Sequence, residues 1–308
     1  MIRYFLAAGV PIIMSGFAFG EEPSTTPRDV EKRYYDVEER LAAIAAPLPK
    51  PGPGDWLAQH KERGQTFEQY LRARAIRKSE THDHIFLCLV GDFSKEQQQV
   101  LATTAEYLEL FYQSPVKVHK VVRLDAIPAD AKRVHPTSGN EQILSTYVLN
   151  EVLKPHRPDN ALAYIAFTSS DLWPGEGWNF VFGQASLTDR VGVWSIFRNG
   201  DPGASKKDFQ LCLRRTMTTA THETGHIFGM PHCIAFHCNM NGSNNQEESD
   251  RAPAHFCPAC LRKLCWNLQA SPAGYLEGLE SFCEKHGLVE EAEWYARARI
   301  RLEANKPK

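Results

Sequence analysis

Residues 221–240, THETGHIFGMPHCIAFHCNM, constrain this chain more than any other stretch, because twenty positions hold four histidines, two cysteines and a glutamate. Successive residues of an α-helix turn by roughly 100°, so His222 and His226 lie on one face, one turn apart. Two imidazoles so placed can bind one zinc ion. Glu223 lies beside them, where its carboxylate can reach a water in the site without being a ligand. The spacing therefore predicts a zinc site on a helix.

The turn after this helix adds a third ligand. Gly229 can take the left-handed conformation that ends a helix, and Pro231 follows shortly beyond it. The chain then doubles back and can bring His232 to the same metal ion. Three neutral imidazoles leave a fourth position open, as a catalytic zinc requires. The alternative, surface histidines on a helix, becomes rare once Gly229 and His232 are also required.

Four cysteines follow in two close pairs and match a second, structural zinc site. A tetrahedral Cys₄ site is closed, and this one would tie the loop after the third histidine to the C-terminal region. The predicted ligands are Cys233, Cys238, Cys257 and Cys260. The alternative is disulfides, Cys233–Cys238 or Cys257–Cys260, which an oxidising compartment would favour. The other four cysteines are predicted to be buried thiols: Cys88, Cys212, Cys265 and Cys283.

Met240 stands eight residues after His232. A zinc site with a third histidine of this kind goes together with a methionine turn beneath the metal, so we assign Met240 to that turn. The alternative is an ordinary core methionine.

Upstream of the motif, strand-like and helix-like segments alternate. Apolar β-branched runs predict strands, and apolar positions at helical spacing predict helices. The predicted strands are 84–92, 116–124, 161–168, 178–186 and 191–198, and the predicted helices are 94–113, 140–156 and 212–229. This alternation predicts an α/β fold with a mixed sheet. A helical C-terminal region follows from residue 257, ending in two helices around His286-Gly287.

The N-terminal part is predicted to precede the main domain. Residues 1–20 combine Arg3, an apolar run and small residues, which is the layout of a signal peptide, with a membrane anchor as the alternative. Residues 21–80 are predicted to be a helical and linker segment, and one alternative is that they cover the cleft. The main domain is placed at 81–268 and a helical extension at 269–308. We expect export to the periplasm or secretion, with a cytoplasmic location as the alternative.

The charge balance points to no further class of partner. The formal net charge is -2 and acidic and basic residues are mixed, so neither nucleic acid nor a membrane surface beyond the N-terminal segment is expected. The sequence favours no particular oligomeric state.

The motif residues resemble the archaemetzincins, a family of metzincin-type zinc proteases. The family pattern is HExxHxxGxxHC, four residues, Cys, one residue, Met, a spacer and CxxC, and here it runs from His222 to Cys260. The segments SSDLWP, NFVFGQAS and VGVWSIFR also look like those of the family. Glu141-Gln142-Ile143 departs from it, because a Gln-Tyr pair is expected there. The resemblance covers residues 84–268.

The resemblance implies a compact zincin fold, in which a twisted mixed sheet places the active-site helix beneath an edge strand. It implies peptide-bond hydrolysis with two Zn²⁺ per chain, one catalytic and one structural, and Glu223 as the general base. An extended peptide substrate could pair with WNFVFGQAS or with VGVWSIFR at the sheet edge. Asn241 follows Met240, so the tyrosine that assists some metzincins is absent from that position.

Two alternatives to a peptidase remain open. A catalytically weak zinc-binding module could recognise a peptide or protein through the same cleft, although such a module has no need of Glu223. A disulfide-stabilised exported protein could bind metal incidentally. Asp171 and Asp201 are assigned no role. Aromatic residues near the predicted cleft fit a substrate pocket or, more commonly, strand packing: Trp173, Trp178, Phe180 and Phe182.

Overall fold

The computed structural model describes residue 34, residues 36–73 and residues 75–304. The predicted signal peptide, residues 1–20, lies outside the described residues, so export stays a prediction. Among the described residues, no helix has both the length and the apolar character needed to cross a membrane.

The strands in chain order are β1 (His84–Val90), β2 (Val116–Val122), β3 (Lys132–Val134), β4 (Glu141–Leu144), β5 (Ala161–Thr168), β6 (Asp171–Trp173), β7 (Gly183–Ser186) and β8 (Val191–Ser195). The helices are α1 (residues 36–41), α2 (Trp56–Gln59), α3 (Phe67–Arg72), α4 (Lys95–Tyr112), α5 (Ser145–Tyr147), α6 (Lys206–Ile227), α7 (Gln246–Arg251), α8 (Pro258–Leu268), α9 (Pro272–His286) and α10 (Val289–Glu303).

The main sheet is mixed, as predicted, and has the strand order β2-β1-β5-β8-β7. Its strands pair in parallel except β7, which is antiparallel to β8. The central strand β5 is buried at every position, which its apolar sequence ALAYIAFT allows. Because β7 stands at one edge of the sheet, its outer side has no strand partner among the described residues.

A second sheet has the strand order β3-β4-β6 and shows that one prediction was wrong. Helical spacing predicted a helix over 140–156, but Glu141–Leu144 forms β4 and pairs with β6, and helical structure begins only at Ser145. The buried Gln142 side chain explains the difference, because it donates to the Asp171 carboxylate at 2.8 Å across the two strands. This tertiary hydrogen bond and the strand pairing outweigh the local helical pattern.

The described part of the N-terminal segment contains little helix. Residues 21–80 were predicted to be helical and linker sequence, and the described residues between 55 and 79 form only the short helices α2 and α3. Between them Gly64 has a φ of +61°, which a helix does not accommodate. A capping box of Thr66 and Gln69 then starts α3, which buries Phe67 and Tyr70.

Helix α6 carries the histidine motif and packs against α4 and against strands β7 and β8. It begins at Lys206, six residues before the predicted start, because Ser205 caps it by accepting from the Asp208 N–H. The Tyr112 hydroxyl of α4 donates to the Thr221 carbonyl at 2.6 Å. At the C-terminus, α9 and α10 form the predicted helical hairpin, with Gly287 left-handed between them.

Candidate metal centres

The three histidines of the motif meet at one point. His222 and His226 lie one turn apart on α6, and their Nε2 atoms are 3.1 Å from each other. His232 approaches from the loop after the helix, and one nitrogen of each ring lies within 4.8 Å of those of the other two rings. The arrangement matches the predicted set of three imidazoles.

The turn that returns the chain to the site depends on Gly229. Its φ is +81°, the left-handed conformation predicted for this position. The Met230 N–H donates to the Gly225 carbonyl at 3.1 Å and so closes the end of α6. From outside the motif, the Tyr70 hydroxyl donates to the Phe228 carbonyl at 2.9 Å and fixes the turn from the N-terminal side.

Backbone carbonyls fix the tautomers of the first two histidines. His222 Nδ1 donates to the Asn239 carbonyl at 2.6 Å, and His226 Nδ1 donates to the Met230 carbonyl at 2.7 Å. A carbonyl can only accept, so each Nδ1 carries the proton and each Nε2 presents a lone pair to the site. Burial lowers the pKa of both rings to about 4, which keeps them neutral near pH 7.

The third histidine has a different partner. His232 Nδ1 donates to a carboxylate, Glu62 Oε1, at 2.7 Å. The Trp56 indole N–H donates to the same oxygen at 2.8 Å. Burial raises the pKa of Glu62, but the hydrogen bonds from His232 and Trp56 lower it further than burial raises it, so the net shift is downward. The carboxylate is therefore ionised at neutral pH.

Glu223 follows His222 on α6 and faces strand β7. A Cβ built on Gly183 of that strand would lie 3.4 Å from Glu223 Cγ, so the carboxylate stem lies directly against the edge of the sheet. Burial raises the pKa of Glu223, and the neighbouring His226 and His232 oppose that shift. A carboxyl whose pKa is raised toward neutrality can both accept and return a proton.

The four cysteines of the motif form a separate, buried cluster. All eight cysteines lie within the described residues and are free thiols, and the Sγ atoms of Cys233, Cys238, Cys257 and Cys260 lie within 4.8 Å of one another. Cys233 and Cys257 are in hydrogen-bonding contact, with 3.7 Å between their Sγ atoms. Backbone N–H groups of Met240 and Cys257 donate to Cys238 Sγ, at 3.4 and 3.2 Å. The remaining cysteines are buried, as predicted.

Met240 lies beneath the histidines and is fully buried. A Cβ on Gly225, inside the HETGH stretch, would lie only 2.6 Å from Met240 Sδ, so the thioether occupies the space that the glycine leaves. The Met240 carbonyl accepts from the Cys233 N–H at 2.7 Å. Met240 therefore connects α6 to the cysteine cluster.

A cavity of about 660 Å³ opens over the histidines and Glu223. One wall is the loop 177–183, which contains three of the four aromatic residues expected near the cleft, while Trp173 lies outside the lining. The opposite wall includes Trp56 and Leu57 of the N-terminal segment and Gly242 after Met240. Since β7 rather than β8 is the edge strand, WNFVFGQAS is the segment that borders the cleft.

Sequence reasoning missed several residues that support the site. Asn239 and Asn241 flank Met240: the Asn239 side chain donates to Thr218 and Thr221 of α6, and the Asn241 side chain donates to the Cys233 carbonyl at 2.7 Å. The sequence feature that could have indicated these two residues is the presence of an asparagine on each side of Met240. For Glu62, nothing in the neighbouring sequence indicated a role at the site.

Asp171 also has a structural role that was not expected. Its buried carboxylate accepts two hydrogen bonds from Arg198, at 2.8 and 2.7 Å. Arg198 stacks on the Phe180 ring in the cavity wall, 3.6 Å from its centroid. Asp201 is a turn residue that accepts from the Gly203 N–H, in line with its lack of an assigned role.

Comparison with known proteins identifies relatives of this chain. A model of peptidase family M54 matches residues 108–265. Archaemetzincin-2 from Macaca fascicularis is 35% identical over 257 residues, covering 72% of this chain and 69% of that protein. Archaemetzincin-2 from Homo sapiens is 34% identical over 253 residues, with the same coverage of 72% and 69%. The crystal structure of archaemetzincin from Methanopyrus kandleri is 30% identical, covers 63% of this chain and 99% of that one, and superposes with a TM-score of 0.48.

The fold and the donor sets define a zinc metallopeptidase that acts on peptides or proteins. The chain belongs to peptidase family M54, the archaemetzincins. The family resemblance, the mixed-sheet fold with the motif on a helix, and the enzyme class are thereby confirmed.

Proposed function

We propose that His222, His226 and His232 hold a catalytic zinc ion, that Glu223 is the general base for peptide-bond hydrolysis, and that the four clustered cysteines hold a second, structural zinc ion. The observation that carries the proposal is the contact between the Nε2 atoms of His222 and His226 at 3.1 Å. Each ring donates its Nδ1 proton to a backbone carbonyl, so the two Nε2 atoms that face each other are unprotonated. Such lone pairs repel unless a cation lies between them.

The donor set fits zinc. Imidazole nitrogens suit Zn²⁺, and a site with three protein ligands keeps one coordination position for water or substrate. When bound, the ion would supply Lewis-acid chemistry, polarising a carbonyl and acidifying a water. The third ring, His232, has its Nδ1 bonded to Glu62, which leaves its Nε2 available as well.

Glu223 has the position and the environment of a proton carrier. Glu223 follows His222 in sequence, its Cγ lies against β7, and burial raises the pKa of its carboxyl group. We infer that it accepts a proton from the attacking water and returns it to the leaving amine. A peptide paired with the outer side of β7 would run past this carboxylate, which supports β7 as the strand that orients the substrate.

The cysteine cluster supports a closed zinc site. Four buried thiols within 4.8 Å of one another supply a complete tetrahedral set, with no position left for a substrate. Hydrogen bonds from the neighbouring thiols lower the pKa of Cys233, whereas burial and the same neighbours raise the pKa of Cys238, whose Sγ accepts from two backbone N–H groups. Since Cys233 directly follows His232, this second ion would brace the backbone of the third ligand.

The first test counts zinc per chain by elemental analysis in wild type and His226→Ala, with a free-thiol titration of the same samples. We expect two zinc ions in wild type and one in the variant, with the four clustered thiols released only by denaturation and chelation. An unchanged zinc content in His226→Ala would refute the histidine site. One zinc in wild type, together with disulfides among the four cysteines, would refute the second site.

The second test measures cleavage of a peptide library. Glu223→Gln should keep its zinc and lose about 10²- to 10⁴-fold in rate, because one acid–base group is removed. The matched control is Glu176→Gln, an exposed carboxylate near the cleft that does not line the cavity. A Glu223→Gln enzyme with full activity would refute the role of this residue. Zinc-loaded wild type that binds peptides without cleaving them would favour the weak binding module instead.

A further inference from the structure

The three histidines of the site are held by different kinds of partner. His222 and His226 donate to backbone carbonyls of the same motif region. His232 donates to the side chain of Glu62, 170 residues earlier in the chain. Glu62 also lies upstream of residues 108–265, the part that the family model matches. The third ligand therefore has a partner from outside the segment that the family model matches.

Glu62 is itself held in place. Its Oε1 accepts from the Trp56 indole N–H at 2.8 Å as well as from His232 at 2.7 Å. The Trp56 backbone N–H donates to Glu248 Oε1 at 2.7 Å, and the Trp56 ring stacks on His60 with the centroids 3.9 Å apart. The Trp56 indole also contacts the His232 imidazole edge-on, with 5.2 Å between the two ring centroids.

The glycine after the methionine turn makes room for this tryptophan. A Cβ on Gly242 would lie 2.5 Å from Trp56 Cδ1, so no larger residue fits at that position without displacing the indole. The loop that follows Met240 and the segment that carries Glu62 are therefore packed as one unit on the side of His232.

Residues 46–73, which we call the N-terminal strap, are anchored along the motif. The Leu48 N–H donates to the Ala235 carbonyl at 3.0 Å, and the His237 N–H donates to the Ala46 carbonyl at 2.8 Å. Farther along, Gln65 donates to the Gly229 carbonyl at 3.2 Å. The strap thus contacts the chain on both sides of His232, which fixes the direction from which Glu62 reaches the imidazole.

We propose that Glu62 is a positioning residue for His232: its carboxylate, presented by the N-terminal strap and steadied by Trp56, fixes the imidazole in the Nδ1–H tautomer and aims Nε2 at the metal. The inference rests on the proposed three-histidine zinc site. An anionic acceptor also makes the imidazole a better donor to a cation than a neutral carbonyl does. The affinity of the site for zinc therefore depends on a residue of the strap.

The test measures the zinc dissociation constant of the three-histidine site by competition with a chromophoric chelator. The zinc of this site is recognised as the ion that is lost in His226→Ala. Removing a hydrogen-bond partner of a ligand typically costs about 10- to 100-fold in metal affinity, and we expect that loss for Glu62→Ala. Glu62→Gln keeps an acceptor oxygen of the same shape without the charge, so its loss should be smaller. Trp56→Phe, which removes the indole N–H, should also weaken zinc binding. The matched control is Glu80→Gln, an exposed glutamate of the N-terminal part, with no change expected.

A spectrum of the cobalt-substituted protein separates positioning from mere folding. Cobalt bound by imidazoles absorbs in the visible range, and the bands shift when the ligand geometry changes, whereas a thiolate site gives strong near-ultraviolet bands. We expect Glu62→Ala to shift the visible bands and leave the thiolate bands in place, with rescue in Glu62→Gln. The melting temperature of the metal-free Glu62→Gln protein should match wild type.

Two outcomes would overturn the inference. In one, the Glu62 variants have wild-type zinc affinity and wild-type cobalt spectra. In the other, Glu62→Gln loses as much affinity as Glu62→Ala and its metal-free form melts lower, which would make Glu62 a general stabilising residue. Failure of the underlying site is distinguishable from both, because wild type would then show no zinc that His226→Ala removes.

Discussion

Replacing Gly225 by alanine tests how tightly Met240 is packed beneath the histidines. The new Cβ would lie 2.6 Å from Met240 Sδ and 3.3 Å from Phe256 Cζ. Non-bonded heavy atoms pack best at about 3.5–4.0 Å, so the thioether must move by about 1 Å. Met240 is fully buried, and its carbonyl is held by the Cys233 N–H at 2.7 Å. The displacement therefore strains the loop that carries the cysteines.

Two effects decide the size of the change in unfolding free energy. Overpacking a core costs about 1–3 kcal/mol, while alanine stabilises a helix interior by about 1 kcal/mol relative to glycine. The net loss for Gly225→Ala is then about 0–2 kcal/mol. With Met240→Ala already present the clash with the thioether is removed and only the 3.3 Å contact with Phe256 Cζ stays, so the same substitution should stabilise by up to about 1 kcal/mol. The coupling energy between the two positions is therefore about 1–3 kcal/mol.

The assay is urea unfolding of wild type, both single variants and the double variant at one fixed concentration of free zinc. Zinc must be fixed because a ligand that binds only the folded state adds to its stability. Gly278→Ala in α9 is the matched control, because its Cβ would meet only Leu110 Cδ2 at 3.7 Å and it should stabilise by the full helix contribution. If Gly225→Ala changes stability equally in both Met240 backgrounds, the packing argument is wrong.

Three further predictions address other parts of the molecule. Cys260→Ser should lower the zinc content by one ion per chain in elemental analysis, and a zinc content equal to wild type would contradict the closed site. Asp171→Asn should cost roughly 3 kcal/mol in urea unfolding, because it leaves Arg198 without its buried carboxylate; a change near zero would mean that the ion pair contributes nothing. Burial raises the pKa of Cys88 to about 11, so a thiol reagent at pH 8 should label it only after denaturation, and rapid labelling of the native protein would contradict that burial.

Some elements of this fold follow from local patterns in the sequence, whereas others depend on partners far along the chain. The strands of the main sheet and helix α6 overlap their predicted ranges, because apolar runs and helical spacing report which faces are buried. Their bounds differ, since β7 covers only Gly183–Ser186 of the predicted 178–186 and α6 begins six residues early. Strand β4 was mistaken for the start of a helix, since its identity depends on pairing with β6 and on the hydrogen bond from Gln142 to Asp171. Nothing within residues 140–156 encodes that partner.

The sequence by itself determined the donor sets. A spacing of four residues on a helix fixes where His222 and His226 point, and a left-handed Gly229 reverses the chain within a few residues. Those are consequences of covalent geometry and local backbone conformation, which need no distant partner. The motif therefore predicted which side chains would converge before any tertiary contact was known.

Tertiary structure alone decided what surrounds those donors. It placed β7 at the edge of the sheet beside Glu223, and it brought Glu62 to His232 from 170 residues away. Such contacts follow from the packing of whole helices and strands against one another. Burial of these elements stabilises the fold, but the residues that make the contacts show no repeating pattern in the sequence. For this reason a lone glutamate in an apparent linker gave no sign that it holds the third ligand of the site.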